Sequence, residues 1–123
     1  MELNSVTESI IGAAIQVHNA LGPGLLEGTY EVCLVHELRK RSLHVETQVT
    51  LPVVYENVRL DAGYRIDLLV ENEVFVELKS VEAFHPIHEA QVISYLKLSG
   101  KKLGLLINFN VKLLKNGIKR IAN

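Results

Sequence analysis

Apolar and polar positions follow two periods along this chain. Over residues 5–21, Val6, Ile10, Ala14, Val17 and Leu21 recur at helical spacing, and Ser5-Val6-Thr7-Glu8 has the form of a capping box. Gly22-Pro23-Gly24 breaks that helix. A second helix is expected from Leu26 to Arg41, with Tyr30, Cys33, Leu34 and Leu38 on its apolar side and Arg39-Lys40-Arg41 suited to its C-terminal end. Residues 44–55 change to strand alternation, placing Val45, Thr47, Val49, Leu51, Val53 and Tyr55 on one face, with Pro52 marking an edge position or a bulge. After a turn at Glu56-Asn57, a strand begins at Val58–Leu60 and runs through a candidate break at Asp61-Ala62-Gly63 into residues 64–70. Glu71-Asn72-Glu73 turns the chain into a further strand over residues 74–80. Pro86 suits the first turn of a helix that reaches about Leu98, before Gly100. Residues 103–109 are almost continuously apolar, as in a strand buried on both faces, and Leu113 to Ile121 adds a small terminal strand around Asn116-Gly117.

The resulting order, α-α-β-β-β-α-β-β, predicts an α/β (α+β) fold: a mixed β-sheet flanked by helices, with the helix at 86–98 as a right-handed crossover. A chain of 123 residues is read as one domain, 1–123, large enough to bury a core without staples. No apolar run reaches the ~18–20 residues of a membrane helix, and the N-terminus lacks the basic and apolar regions of a signal peptide. A single cysteine, Cys33, leaves no internal disulfide, so a cytoplasmic location is expected, with Cys33 an ordinary buried residue. The net charge of −1 conceals an asymmetry: all 14 acids precede residue 90, and residues 90–123 carry only cations (Lys97, Lys101, Lys102, Lys112, Lys115, Lys119 and Arg120). An acid-free basic end suits contact with phosphates, Lys97, Lys101 and Lys102 foremost; the alternative is that these lysines only solubilise the surface.

The chemistry concentrates in the hairpin. A three-residue turn at Glu71-Asn72-Glu73 sets Asp67 opposite Glu77, with Lys79 on the same face as Glu77. Two acids and a lysine in an otherwise apolar strand pair are costly to bury without a partner. Neighbouring carboxylates repel unless one is protonated or a cation lies between them, and hard divalent cations favour oxygen ligands of this kind. Lys79 would then orient or activate an attacking water, or offset charge on a phosphate. The bland alternative is a solvated Glu–Lys ion pair. His85, His88 and Glu89 are expected to be loop and capping residues rather than a transition-metal site.

Asp67…Glu77-Leu78-Lys79 resembles the motif of the PD-(D/E)XK nuclease superfamily, with Ile66 where the eponymous proline would stand. Within it the chain resembles the GxxExxY protein family, whose signature appears as Gly24-Leu-Leu-Glu27-Gly-Thr-Tyr30. Further matching segments are Gly63-Tyr-Arg-Ile-Asp67-Leu-Leu-Val70, Val76-Glu77-Leu-Lys79, Ile87-His-Glu-Ala-Gln91-Val-Ile-Ser-Tyr95-Leu and Gly104-Leu-Leu-Ile-Asn108-Phe. The resemblance implies a restriction-endonuclease-like core and Mg²⁺- or Mn²⁺-dependent phosphodiester hydrolysis of nucleic acid, DNA foremost. It implies metal ligation by Asp67 and Glu77 with Glu27 adding a third carboxylate or holding a water, and Lys79 acting on the water. For Glu27 the alternative is a first-turn helix acid favoured by the macrodipole. Gln91 and Tyr95, one helical turn apart, resemble a Gln-x-x-x-Tyr pair that positions substrate. Tyr30 either joins them in positioning substrate or is a core aromatic.

Two functional classes remain open on the sequence. One is a small metal-dependent nuclease, expected as a homodimer that grips its substrate from two sides. The other is a nuclease-fold protein that cuts weakly or not at all and serves as a nucleic-acid-binding or protein-interaction module, since fold does not establish activity.

Overall fold

The computed structural model describes residues 2–123, apart from the side chain of residue 62. Two helices come first, α1 (Leu3–Leu21) and α2 (Glu27–Lys40). Strands β1 (Val45–Tyr55), β2 (Val58–Val70) and β3 (Val74–Lys79) follow, then α3 (Pro86–Ser99), β4 (Leu103–Asn108), a 3₁₀ turn (Leu114–Gly117) and β5 (Ile118–Ala122). The five strands form one sheet in the order β1-β2-β3-β4-β5. β3 and β4 are parallel, joined through α3, and the other neighbours are antiparallel.

The sheet separates two apolar layers. On one face, Val6, Ile10, Ala14 and Val17 of α1 and Tyr30, Leu34 and Leu38 of α2 pack with Leu68, Val70, Val74, Val76, Leu78, Leu103, Leu105 and Ile107. On the other, Val92, Tyr95 and Leu96 of α3 pack with Leu51, Ile66, Leu69, Phe75, Leu106 and Ile121. β4 is buried on both faces, as its apolar run predicts. α3 lies so close to it that a Cβ at Gly104 would sit 2.7 Å from Val92 Cγ1.

Several local expectations are corrected. No capping box forms at Ser5: α1 starts at Leu3, with Glu2 as its N-cap, because Leu3 and Val6 both pack on the core. The Thr7 hydroxyl instead donates to Asn4 O at 2.9 Å. Asn116-Gly117 falls in the 3₁₀ turn, so the last strand is confined to β5. Gly117 is required there because a Cβ would collide with the carbonyl oxygen of Asn108. Cys33 is half-buried, on the wall of an apolar groove between α1 and α2. β2 runs on through 61–63 as one strand, but its pairing with β1 is disrupted there: Leu51 pairs with Tyr64 and Val53 with Leu60, so residues 61–63 bulge opposite Pro52 of the edge strand.

Strand alternation fails at one place, and it fails in two strands at once. Residues i and i+2 of a strand normally share a face. Ile66 nevertheless packs in the α3 layer and Leu68 in the α1/α2 layer. Directly across, Val45 belongs to the α1/α2 layer while Val49 and Leu51 pack with α3. The pairs Thr47↔Leu68 and Val49↔Ile66 bracket the reversal, which falls at Gln48 and Asp67. Gln48 has φ 51°, a left-handed conformation that costs a non-glycine residue roughly 1–2 kcal/mol. The expectation of one uniform β1 face from Val45 to Tyr55 is thereby overturned.

Candidate active site

The reversal turns Asp67 toward α2, and the β2–β3 ladder stops beside it. β2 pairs with β3 only at Leu68↔Val76, Leu69↔Phe75 and Val70↔Val74. Asp67 and Glu77, expected as the next ladder pair, are instead cross-clamped through their side chains. Asp67 N donates to Glu77 Oε1 at 2.9 Å, and Leu78 N donates to Asp67 Oδ2 at 2.8 Å. Each carboxylate thus closes a backbone amide of the other strand where the ladder has opened, as buried N–H groups require.

Those two acids, with Lys79, Leu78, Glu27, Gly28, Glu31 and Gln48, line a polar cleft of about 310 Å³. Glu27 is the first residue of α2, and Glu31 lies one turn further on the same helix. Gln48 Nε2 donates to Glu31 Oε1 at 2.9 Å and lies 3.4 Å from Asp67 Oδ1, bridging the helix and the hairpin. The strained Gln48 backbone and its bridging amide therefore occur together at the cleft, where such strain tends to be held by function.

The electrostatics follow from this crowding. Glu77 is 9% exposed. Burial first, then the Asp67 charge, raises its pKa from 4.5 to about 7, against the lowering effects of the Asp67 backbone amide and Lys79. Burial and Asp67 also push the Glu31 carboxyl up, partly offset by its Gln48 bond. On α3, burial, then Glu77, Tyr64 and Asp67, push the Tyr95 hydroxyl up, and its ring is 5.8 Å from that of Tyr64.

A hard cation fits this donor set. One oxygen of each acid is committed to a backbone amide, while Glu77 Oε2 has no hydrogen-bond partner among the described residues and Asp67 Oδ1 has only the long Gln48 contact. Among the described residues no three His, Cys, Asp or Glu side chains close into a ready-made ligand cage. Mg²⁺ does not need one, because it is commonly held by one or two carboxylates and keeps several waters.

A family model described as the PD-(D/E)XK nuclease superfamily matches residues 4–121. The chain belongs to the PD-(D/E)XK nuclease superfamily. Its mixed sheet with helices on both faces is consistent with the restriction-endonuclease-like fold. No curated protein and no solved structure matches the chain significantly. No described helix is long and apolar enough to cross a membrane.

The acids and lysine expected from the sequence, Asp67, Glu77 and Lys79, lie together with Glu27 in the cleft. Other expected residues lie elsewhere. Tyr30 is fully buried, its ring stacked on Phe109 at 4.4 Å and its hydroxyl donating to Gly22 O at 2.5 Å and accepting from Leu25 N at 3.1 Å. It anchors the α1–α2 connection from the core and offers no edge to a substrate. Gln91 is exposed on α3, one turn before Tyr95, and makes no hydrogen bond to Glu77 or Lys79 among the described residues. His85 and His88 cap α3 reciprocally, as expected of them, and Glu89 pairs with Lys119 at 3.2 Å.

The basic C-terminal third does not form one surface. Val74 pairs with Leu103 and Lys79 with Asn108, so the residues just before Leu103 lie at the other end of the sheet from Lys79. Five residues of strand correspond to about 17 Å. Lys101 is bonded there to Asn72 O at 2.8 Å, and Lys102 lies beside it, on a cleft with Glu2 and Glu73. Lys97 is in the last turn of α3, at that same far end. Lys97, Lys101 and Lys102 therefore stand apart from the cleft, and a phosphate that they contact is a different one from any held at Lys79.

Glu31 and Gln48 are the residues that sequence reasoning missed. Glu31 follows Glu27 by one helical turn, a signal available in the sequence. Gln48 carries no such signal, because its role arises from a reversal of strand alternation that a regular pattern hides.

Proposed function

We propose that this chain is a divalent-cation-dependent nuclease of the GxxExxY group that hydrolyses phosphodiester bonds of DNA. The observation that carries this reading is the cross-clamped pair of acids, Glu77 buried and Asp67 half-buried, mutually repelling and each left with one oxygen for the cleft. Asp67 and Glu77 would hold Mg²⁺ or Mn²⁺, with Glu27 facing it from α2. When bound, the cation would offset the charge of both acids and of the phosphate under attack.

The protein's own groups divide the remaining work. Lys79 extends from the strand end into the same cleft and would hold the attacking water or a phosphate oxygen. Water adds to phosphorus, the P–O ester bond breaks, and the products are a phosphate monoester and a hydroxyl end. Gln91 and Tyr95 would orient the strand from the α3 side. The GxxExxY residues have separate roles. Gly24 takes φ 92° in the connecting loop, Glu27 faces the cleft, and Tyr30 fastens the loop to the core. A homodimer would present two such clefts to one substrate.

The test is cleavage of linear and circular DNA, and of RNA, by purified protein with Mg²⁺ or Mn²⁺. Wild type is expected to cut DNA, and Lys79→Ala to lower kcat by on the order of 10²-fold, the scale of one lost electrostatic contact at the reacting group. A wild-type protein that binds no divalent cation and cuts no nucleic acid would overturn the proposal. DNA binding without cleavage would support the binding-module alternative instead.

A further inference from the structure

The same reversal of strand alternation that points Asp67 at α2 also fixes the direction of Arg65. Ile66 is fully buried in the α3 layer, so Arg65 projects from the opposite side of the sheet, the side on which Asp67 meets Glu27 and Glu31 of α2 in the cleft. At about 3.3 Å per residue, the backbone positions of Arg65 and Asp67 are roughly 6.6 Å apart on that side. Thr50, flanked by Val49 and Leu51 of the α3 layer, is the register partner of Arg65 and faces the same way. Both side chains are exposed.

Arg65 is also a cation without a side-chain partner among the described residues. Arg59 is paired with Asp61, Lys119 with Glu89, and Lys101 with Asn72 at the far end of the sheet. Arg65 has no hydrogen-bond or ion-pair partner among the described residues, although Asp67 is two positions away. β2 beyond Asp67 has no partner on its β3 side, so a chain could pass along it from the cleft without displacing any protein strand.

We propose that Arg65, with the Thr50 hydroxyl beside it, binds a backbone phosphate of the substrate strand next to the one held at Lys79. This rests on the nuclease reading of the cleft and adds the direction in which the strand leaves it, along the outer half of β2. A guanidinium suits this role because its planar donors engage two phosphate oxygens at once. Arg65 is a binding residue in this scheme and takes no part in bond breaking.

The experiment is equilibrium binding of a fluorescent DNA oligonucleotide to metal-free protein across a salt series, alongside Mn²⁺ titration of the same proteins. Arg65→Ala is expected to weaken DNA binding about tenfold and to make the slope of log K against log salt shallower by about one. Arg65→Lys should restore the slope, and Mn²⁺ affinity should match wild type in both. If wild type binds DNA while Arg65→Ala leaves slope and affinity unchanged, the proposal fails and the nuclease reading stands. A parallel loss of Mn²⁺ affinity would also overturn it, by showing a structural role. A wild type that neither binds nor cuts nucleic acid overturns the underlying reading itself.

Discussion

Replacing Glu77 by Gln should stabilise the metal-free protein while removing its capacity for a cation. In the native state this carboxyl is raised from 4.5 to about 7 by burial and by Asp67. The folded protein then holds the Glu77 proton more tightly than the unfolded chain does, so stability falls as pH rises from about 4.5 to about 7. A shift of this size corresponds to about 3 kcal/mol of penalty, fully present above pH 7 and absent below 4.5. The glutamine side chain would remove the charge and keep an amide oxygen as acceptor for Asp67 N, so the bond that clamps the parted strands survives. At pH 8 without metal the variant should be more stable by about 1–3 kcal/mol, or roughly 4 °C in Tm per kcal/mol for a domain of this size. At pH 4 the two proteins should melt together. Added Mn²⁺ should raise the Tm of wild type and leave that of Glu77→Gln unchanged. Thermal melts at both pH values with and without Mn²⁺ make the comparison. A variant that is less stable at pH 8, or a difference that does not change with pH, would refute the reasoning.

Other outcomes follow from the same geometry. Because a proton must leave Glu77 for a cation to bind, apparent Mn²⁺ affinity by calorimetry should rise up to about tenfold per pH unit below 7 and level off above it. Tyr30→Phe strips a buried hydroxyl of two bonds and leaves the Gly22 carbonyl and Leu25 amide short of a partner. It should cost about 1–3 kcal/mol in urea unfolding with Mn²⁺ affinity of the folded protein unchanged. Gln48→Gly should be more stable than Gln48→Ala by about 1 kcal/mol, since both lose the amide bridge and only glycine relieves the positive φ; equal stabilities would show that the left-handed backbone carries no strain.

The helix–strand order was legible because its periodic signals are strong and local. The apolar run at 103–109 and Pro86 at a helix start required only burial and φ preference, and they mark β4 and α3 directly. The Ser5 capping box does not form because burial of Leu3 and Val6 outweighs a cap. The spacing of Asp67 and Glu77 correctly brings the acids together, but as a side-chain clamp across parted strands rather than a ladder pair. That difference was hidden because the alternation of Val45, Thr47, Val49 and Leu51 reads as one regular face, whereas the strand turns over at Gln48. The placement of the basic C-terminal third was hidden for a related reason. Chain order does not say where the cations from Lys97 to Lys102 lie, and the parallel β3–β4 connection carries them to the far end of the sheet from Lys79.

The most direct test of the central claim is a crystal structure of the protein soaked in Mn²⁺, with the ion located by its anomalous scattering. The account predicts one ion between the open oxygens of Asp67 and Glu77, at roughly 2.0–2.2 Å from each, with Glu27 facing it and waters completing the shell. An ion seated elsewhere, or a cleft that stays without one while the acids keep their clamp, would contradict it.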